Sequence, residues 1–475
     1  MSPRVIAVDL GATSGRVIEG FVGPQRLEHS VVHRFPNGPV KDGVALRWNV
    51  TGLFREVIRG LQVVGSSDEQ ILSVGVDSWA VDYGLLKNGV LLEEPRHYRD
   101  SRTNESVKRV HQRADHGELF GVNGLQFLPF NSIYQLASED WSGKAGTADQ
   151  LLLVPDLVNY WLTGHSAMEL TNASTTGLLN VLSQQLDDEL IALSGASAEL
   201  FAPLVAAGHR VGDLKKEMVE QVGFSAPVVA VGSHDTASAV VAAPLRDSAS
   251  AYISLGTWGL AGVETSVPIV TPAARTANFT NEGGVDGRNR FLRNVMGLWL
   301  LNESVSWWAS RGETRGLGEL LRAAADVPAA QHIFDVDDPI FMAPGNVPER
   351  ILSWGNERGY DFSPDPVALV SLIVDSLAHA LAATIRMAGE LTGQEIGEIS
   401  VVGGGSQNEL LNQRLADHSG VTVVAGPVEA TALGNILVQA REAGLIHGDL
   451  DSLRALVRSC SDLANYTPQQ RRHHG

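Results

Sequence analysis

Two short apolar runs, separated by small and polar residues, begin the chain. RVIAVDL at 4–10 and RVIEGFV at 16–22 have the apolar character of β-strands. GATSG at 11–15, between them, is typical of a turn. The pattern therefore predicts a β-hairpin.

The first half of the chain continues with strands and helices in alternation. The predicted elements are a helix over 52–64, an apolar strand over 71–86, a helix over 151–163 and a strand, turn and helix over 226–240. Pro155 near the start of the third element and Gly164 just after its end favour a helix there. Mixed strands and helices predict an α/β fold.

After a polar break, PLRDSAS at 244–250, the opening pattern returns. AYISLGTWGLAGVET at 251–265 is again a strand, a Gly-rich turn and a strand. This similarity to DLGATSGRVIEG predicts two domains of like topology, with a boundary at the break. A long helix at 365–392, a strand with a Gly-rich turn at 398–417, and a strand and helix at 421–440 follow. The domains are placed at 1–246 and 247–475.

Length, charge and cysteine content narrow the class of protein. The 475 residues are enough for two full-sized domains. A net charge of −18 argues against nucleic-acid binding but leaves room for a phosphate ligand held by backbone N–H groups. The single cysteine, Cys460, excludes an intrachain disulfide and predicts a reducing compartment, the cytoplasm.

No targeting or membrane segment is expected. MSPRVIAVDLG lacks the apolar region of a signal peptide, and no run approaches the apolar length of a membrane span. We therefore expect no membrane partner, and a monomer or small homo-oligomer. The C-terminal RRHHG is given no role.

The first turn, DLGATSGR, is a candidate anion site. It matches neither the P-loop nor the dinucleotide-binding glycine pattern. Gly11 and Gly15 would let the backbone approach a bulky anion, and the turn could aim N–H groups at it. Its polar side chains are Thr13, Ser14 and Arg16. Asp9, at the strand end, could hold a metal ion through water. A plain hairpin turn rich in Gly and Ser is the alternative.

Two later glycine-rich turns have the same ambiguity. In VGGGSQN at 402–408 a nucleotide could pass over Gly404, where there is no Cβ. In LGTWG at 255–259, Thr257 could reach a phosphate oxygen. Each is equally well explained as a tight turn between elements.

The stretch SHDTASAV offers a candidate catalytic carboxylate. Asp235 could be a helix N-cap that accepts backbone N–H bonds. Alternatively, it could accept the proton of an attacking hydroxyl, as an Asp does in kinase phosphoryl transfer. Asn294, in FLRNVMGLWLL, could bond a sugar hydroxyl or satisfy backbone groups. Metalloprotease, zinc-ribbon and lipase motifs are absent from the sequence.

Taken in order, the motifs resemble those of the FGGY carbohydrate kinases from about residue 4 to about residue 467. They are DLGATSGR, DSWAVDYGLL, YRDSRT, QFLPFNSIYQL, VPDLVNYWLTG, TNASTTGLLN, SHDTASAV, GTWGLAG, TNEGG, NVMGLWLL, VVGGGSQN and GPVEATALGN. The resemblance implies two actin-like domains of the ribonuclease H-like, Hsp70 and sugar-kinase type, with the active site in a cleft between them. Domain 1–246 would bind sugar and carry the catalytic residue, and 247–475 would bind nucleotide.

The resemblance also implies a reaction, transfer of the ATP γ-phosphoryl to the 1-hydroxyl of L-rhamnulose with Mg²⁺. Another ketose, of the L-fuculose or xylulose type, or a non-catalytic actin-like sugar- and ATP-binding protein are the alternatives. By matching motif, Asp235 would be the proton acceptor. The implied sugar-site residues are Ala80, His234, Asp235, Thr236 and Asn294. The implied ATP-site residues are Ala12, Thr13, Ser14, Gly15, Arg16, Thr257, Asn302 and Gly404.

At two positions the sequence departs from the family pattern. Ala80 stands where the most similar members typically have Gly, which adds a methyl group at a sugar wall. Asn302 stands where Gln is usual, which shortens the reach toward ATP by one methylene.

Overall fold

The computed structural model describes residues 3–66 and 69–469, so the RRHHG tail lies outside the described residues. Over these residues the chain forms two compact units. Of the described residues, unit 1 comprises those within 3–242, 265–291 and 430–461, and unit 2 comprises 243–264, 292–429 and 462–469. Two segments beyond residue 246 thus pack in unit 1. The sequence-based division at 246/247 stays a prediction about the family's domains.

The described residues form these elements. The strands are β1 (Arg4–Leu10), β2 (Ser14–Gly23), β3 (Arg26–Pro36), β4 (Val40–Asp42), β5 (Ala45–Arg47), β6 (Ile71–Ser78), β7 (Tyr83–Lys87), β8 (Val90–Leu91), β9 (Gln150–Leu153), β10 (Met168–Glu169), β11 (Leu179–Asn180), β12 (Gln185–Leu186), β13 (Leu204–Val205), β14 (Arg210–Asp213), β15 (Pro227–Val229), β16 (Ser250–Leu255), β17 (Trp258–Thr265), β18 (Thr280–Gly283), β19 (Asn289–Met296), β20 (Glu398–Val402), β21 (Thr422–Ala425) and β22 (Ala464–Tyr466). The helices are α1 (Val50–Gly65), α2 (Thr103–His111), α3 (His116–Asn123), α4 (Ser132–Leu136), α5 (Val154–Thr163), α6 (Leu170–Ala173), α7 (Asp188–Ser194), α8 (Lys216–Val222), α9 (Asp235–Val241), α10 (Pro272–Thr276), α11 (Trp299–Ala309), α12 (Leu317–Ala324), α13 (Val347–Glu357), α14 (Pro366–Thr392), α15 (Glu409–Ser419), α16 (Ala430–Glu442) and α17 (Leu450–Cys460).

Unit 1 is organised by a six-stranded sheet in the order β14-β15-β6-β1-β2-β3. The predicted opening hairpin is confirmed, since β1 pairs antiparallel with β2. On its other side β1 pairs parallel with β6. All seven residues of β1 are buried, as expected for a strand at the centre of a sheet that is covered on both faces.

Two apolar runs of the first half divide differently from the prediction. The run 71–86 contains two strands, β6 and β7, because a turn at 79–82 ends β6. The run 151–163 begins as β9 and becomes helix α5 only at Val154. Leu151–Leu153 pair with β7, so sheet pairing decides their conformation, whereas a short apolar run alone is compatible with either state. The helix ends as predicted, with Gly164 left-handed at φ 80°.

The second large sheet has seven strands, and those that lie wholly or mostly in unit 2 follow the order β19-β17-β16-β20-β21-β22. β16 and β17 form the second predicted hairpin, and β16 pairs parallel with β20 so that Ser254 lies opposite Val402. The loops that follow these strands therefore lie next to each other at one edge of the sheet.

Helix α14 packs against α11, α12 and α15 in unit 2. It is the one helix among residues 3–66 and 69–469 that is long and apolar enough to cross a membrane, with a mean hydropathy of 1.8. The expectation that no run approaches that length is therefore wrong. Because 78% of this apolar window is buried inside the protein, α14 has the surroundings of a core helix.

Candidate active site

The carboxyl ends of neighbouring parallel strands in unit 1 bring several acidic residues together. Asp9 on β1 lies directly opposite Asp77 on β6. One residue further, Ser78 N–H donates to the Ser233 carbonyl at 2.9 Å, and Ser78 forms a parallel β-bridge with His234. The start of α9 therefore joins the same edge of the sheet, which is where open α/β sheets bind their ligands.

The first hairpin carries an ion pair at this edge. Arg16 Nη2 lies 3.1 Å from Asp9 Oδ2, and the two residues are register partners. The turn is closed by a 3.0 Å bond from Gly11 N–H to the Ser14 carbonyl. Thr13 at its tip is exposed. The tip is thus open to a ligand while Asp9, 2% exposed, is buried below it.

The structure excludes the helix-cap interpretation of Asp235. Asp235 is the first residue of α9, and the N-cap position belongs to His234, whose side chain makes no capping bond. Asp235 Oδ1 instead accepts a 3.1 Å bond from Thr236 Oγ1. With 32% of its side chain exposed, the carboxylate is accessible to a ligand.

A buried glutamate holds the backbone just before Asp235. Glu169 Oε2 accepts bonds from Ser233 N–H at 3.0 Å and from Ser233 Oγ at 2.8 Å. It also accepts a bond from Thr171 Oγ1, which in turn accepts one from His234 N–H at 3.3 Å. Burial raises the pKa of Glu169, although these donors oppose the shift. The main-chain position of Asp235 therefore depends on a carboxyl group that sequence reasoning did not select.

Asp77 is a second acidic residue that sequence reasoning missed. Its Oδ2 accepts a 2.6 Å bond from Asn435 Nδ2, and its Oδ1 has no hydrogen-bond partner within the described residues. Burial and then the charge of Asp9 raise the pKa of Asp77 well above its usual range. The sequence does contain a pattern that could have identified Asp77. IAVD at 6–9 and VGVD at 74–77 each place an Asp near the end of an apolar strand.

Ala80 lies in a strained turn that follows β6 at the same edge. The Asp82 N–H donates to the Ala80 carbonyl at 2.9 Å, across Val81 at φ 67°. A three-residue turn with positive φ at a β-branched residue is rare and strained. Ser132 Oγ holds it by donating to the Val81 carbonyl at 2.6 Å. These hydrogen bonds hold the turn rigidly, and therefore fix the position of the Ala80 methyl group.

Asp82 anchors that turn from inside the unit. It accepts bonds from the indole N–H groups of Trp48 and Trp79 and from Gln135 Nε2 at 2.9 Å. Burial raises the pKa of Asp82 to about 6, although the three donors oppose the shift.

In unit 2, the structure brings three of the predicted nucleotide-site segments together. Thr257 lies in the β16–β17 turn, and its carbonyl accepts a bond from Trp299 N–H at the start of α11, the helix that carries Asn302. A Cβ at Gly403 would lie 3.2 Å from the Leu255 carbonyl, so the loop with Gly404 borders the same turn. Gly404 itself is exposed, with open space where a Cβ would be.

The remaining predicted sugar-site residue, Asn294, lies on β19 of unit 2 and is partly buried. Its neighbour Val295 approaches the same turn, with the Val295 carbonyl 3.7 Å from where a Cβ of Gly259 would be. The predicted residues of unit 2 thus cluster around one turn, and those of unit 1 around one sheet edge.

The acidic edge of unit 1 suits a divalent cation held mostly by water and ligand oxygens. In the described part of the chain no group of three or more His, Cys, Asp or Glu side chains has the arrangement of a metal site. The free oxygen of Asp77 and the buried carboxylate of Asp9 are hard oxygen donors side by side. Mg²⁺ usually keeps several waters and needs only one or two carboxylates, so these residues fit it.

Two family models cover nearly the whole chain. Residues 5–242 match the N-terminal domain of the FGGY family of carbohydrate kinases, and residues 251–443 match its C-terminal domain. The chain therefore belongs to the FGGY family of carbohydrate kinases. The resemblance drawn from the motifs is confirmed, and the class of enzyme is an ATP-dependent carbohydrate kinase.

Individual relatives and solved structures agree with this assignment. A rhamnulokinase of Bacteroides thetaiotaomicron is 38% identical over 473 residues, 99% of this chain and 96% of that protein. A rhamnulokinase of Pectobacterium atrosepticum is 39% identical, covering 98% of this chain and 93% of that protein. The gluconate kinase of Lactobacillus acidophilus, only 16% identical, has a TM-score of 0.81 over 99% of this chain and 94% of its own. The xylulose kinase of Rhodospirillum rubrum, 17% identical, has a TM-score of 0.79 over 98% of this chain and 94% of its own. The two-domain α/β fold of the sugar kinases is thereby confirmed.

Proposed function

We propose that this enzyme transfers the γ-phosphoryl group of ATP to the 1-hydroxyl of L-rhamnulose, which gives L-rhamnulose 1-phosphate and ADP. The chemistry is supported by the position of Asp235 at the edge of the sheet. Its carboxylate is partly exposed and does not cap a helix. The choice of sugar is supported by near full-length similarity to proteins named rhamnulokinase. We also propose that the enzyme acts in the cytoplasm, as a monomer or small homo-oligomer.

Asp235 is the proton acceptor in this proposal. Phosphoryl transfer depends mainly on positioning and charge stabilisation, so the base needs only to lie within hydrogen-bond reach of the attacking hydroxyl. The bond from Thr236 fixes one oxygen of Asp235. The carboxylate then takes the proton from the sugar 1-hydroxyl as that oxygen bonds to phosphorus and the ADP oxygen leaves. His234, Thr236, Ala80 and Asn294 contact the rest of the sugar.

In this proposal the first hairpin holds phosphate groups of ATP. The tip of the hairpin, residues 12–15, offers N–H and hydroxyl donors, and Arg16 adds positive charge. Thr257, Asn302 and Gly404 contact ATP. Mg²⁺ would be held by water on Asp9 and Asp77, and when bound it neutralises charge on the phosphate oxygens.

The test is ADP release by the purified protein with ATP, Mg²⁺ and a panel of ketoses and polyols. Preference for L-rhamnulose would support the proposal and make Ala80 a tolerated variation. Turnover only on L-fuculose or a xylulose would contradict L-rhamnulose as the substrate. The extra methyl group of Ala80 would then be the residue difference that explains the other sugar. No turnover on any sugar would overturn the proposal and favour sugar and ATP binding without catalysis.

A further inference from the structure

A buried pair of charges lies behind His234 in unit 1. Arg290 is fully buried, and its Nη2 lies 3.1 Å from Glu282 Oε2. Its Nε also donates to the Gly283 carbonyl at 2.9 Å, which fixes the plane of the guanidinium group. Burial is the largest single influence on the pKa of Glu282 and raises it, but Arg290 and His234 together outweigh burial and lower the pKa of that carboxyl.

Arg290 also contacts the ring of His234. Arg290 Nη2 lies 3.1 Å from His234 Nδ1 with the geometry of a hydrogen bond. A guanidinium group has only N–H donors and keeps its protons at any physiological pH, so Nδ1 must be the acceptor. Glu282 Oε2 is farther from Nδ1, at 3.4 Å, so Arg290 Nη2 is the nearer partner of that nitrogen.

We propose that Arg290, held by Glu282, is a positioning residue that keeps neutral His234 in the tautomer with its proton on Nε2. A ring nitrogen that accepts a hydrogen bond carries no proton, so the proton of a neutral imidazole must be on the other nitrogen. His234 Nε2 lies 3.4 Å from Asp235 Oδ1. This is longer than a good N–H···O bond, which leaves the N–H available to a ligand.

This arrangement selects a type of substrate, and at this step it rests on the proposed function. Asp235 accepts a proton from the reacting hydroxyl, while Nε2–H beside it requires an oxygen that accepts. A 1-hydroxyl next to a C2 carbonyl supplies that pair. A C2 hydroxyl could also accept from Nε2–H, but its own O–H would then need an acceptor, whereas the carbonyl oxygen brings no donor. The site should therefore prefer a ketose to the matching alcohol reduced at C2.

The first test observes the tautomer directly in the sugar-free protein. The protein carries 14 histidines, so His234 is assigned in a long-range ¹H–¹⁵N spectrum of [¹⁵N]histidine-labelled protein by comparison with His234→Gln. We expect His234 as the neutral Nε2–H form. A signal from the Nδ1–H form, or from a doubly protonated ring at neutral pH, would overturn the proposal whether or not the protein phosphorylates L-rhamnulose.

The second test removes the donor without leaving an unpaired buried charge. Arg290→Met alone would strand Glu282 and could prevent folding. The double variant Glu282→Leu/Arg290→Met replaces both charges by apolar side chains, and Arg290→Lys is the conservative comparison that keeps a donor. We expect the Nδ1–H form to appear in the double variant and not in the Lys variant.

Kinetics then separate positioning from a purely structural role. For the double variant, the ratio of kcat/KM for the ketose over the matching polyol should fall roughly 3- to 10-fold, the value of one hydrogen bond. The Lys variant should retain the ratio. An unchanged tautomer and an unchanged ratio in a folded double variant would mean that the pair is structural only, and the proposal would be wrong.

Discussion

Asn435 Nδ2 donates a 2.6 Å hydrogen bond to Asp77 Oδ2, which ties helix α16 to the carboxyl end of β6. Two further hydrogen bonds extend this contact into a chain. Gln439 Nε2 donates to Asn435 Oδ1 at 2.6 Å, and Ser73 Oγ donates to Gln439 Oε1 at 2.7 Å. All four side chains are at least 98% buried. A connected buried network of this kind fixes its members in one arrangement.

We expect Asn435→Leu to lower the free energy of unfolding by about 1–3 kcal/mol, because it strands buried acceptors on Asp77 and Gly75. Ser73→Ala, at the far end of the network, should cost about 1 kcal/mol or less. Urea unfolding measures both. A double cycle with Gln439→Leu should be non-additive by about 0.5 kcal/mol or more. Strict additivity would show that the network does not act as a unit.

Glu169 offers a pair of variants that separate geometry from charge. Glu169→Gln keeps an acceptor oxygen for Ser233 and Thr171, so kcat should stay within a factor of about 3, less than the value of one hydrogen bond. Glu169→Leu removes every acceptor. Because a small misplacement of a catalytic group is costly, kcat should then fall by about 10²-fold. Equal kcat in the two variants would contradict the positioning role.

Asp235→Asn should lower kcat by about 10²- to 10⁴-fold, the usual contribution of a general base. The melting temperature should be unchanged, because Asn can still accept the bond from Thr236 and Asp235 caps no helix. The KM for the sugar should change little. Coupled ADP assays and thermal melting measure these quantities, and a variant with near wild-type kcat would exclude Asp235 as the base.

Gly404→Ala tests whether a nucleotide passes over this loop. A Cβ there meets open space, so stability should not change. If ATP lies against the backbone at Gly404, the added methyl should raise the KM for ATP roughly tenfold, in line with the cost of overpacking. Gly397→Ala is the matched control, since its Cβ also meets open space before β20. An unchanged KM for ATP in Gly404→Ala would remove this residue from the ATP site.

Asp82 makes the stability depend on pH. Its pKa of about 6 in the folded state lies above the value of about 3.9 in an unfolded chain. The folded state therefore binds the proton more tightly, and this contribution to stability is complete below about pH 4 and lost as the pH rises through about 6. It amounts to about 3 kcal/mol, at about 1.4 kcal/mol per pKa unit.

Asp82→Asn lacks this titration. Relative to the wild type, the variant should gain about 3 kcal/mol in unfolding free energy between about pH 4 and about pH 7. Urea unfolding of both proteins across this range measures the difference. A difference that does not vary with pH would show that the carboxyl of Asp82 has an ordinary pKa.

Local sequence patterns predicted many of the elements correctly but missed details that depend on packing. The hairpin turn at 11–15 and the helix end just before Gly164 follow from turn and capping chemistry alone, and both are confirmed. The break in 71–86 was missed, because the strained turn at Val81 is imposed by bonds from Ser132 and by the anchoring of Asp82. Propensity could not anticipate a β-branched residue at positive φ.

By itself, the sequence determined the family, the elements around the site and the residues that stand in its motifs, because apolar periodicity and turn chemistry are local properties. Only the tertiary structure decided which buried groups support them. Asp77 meets Asn435 across 358 positions of the chain, and Arg290 meets His234 across 56. Such pairs depend on strand register and on how a helix packs against a sheet, and no local pattern encodes either.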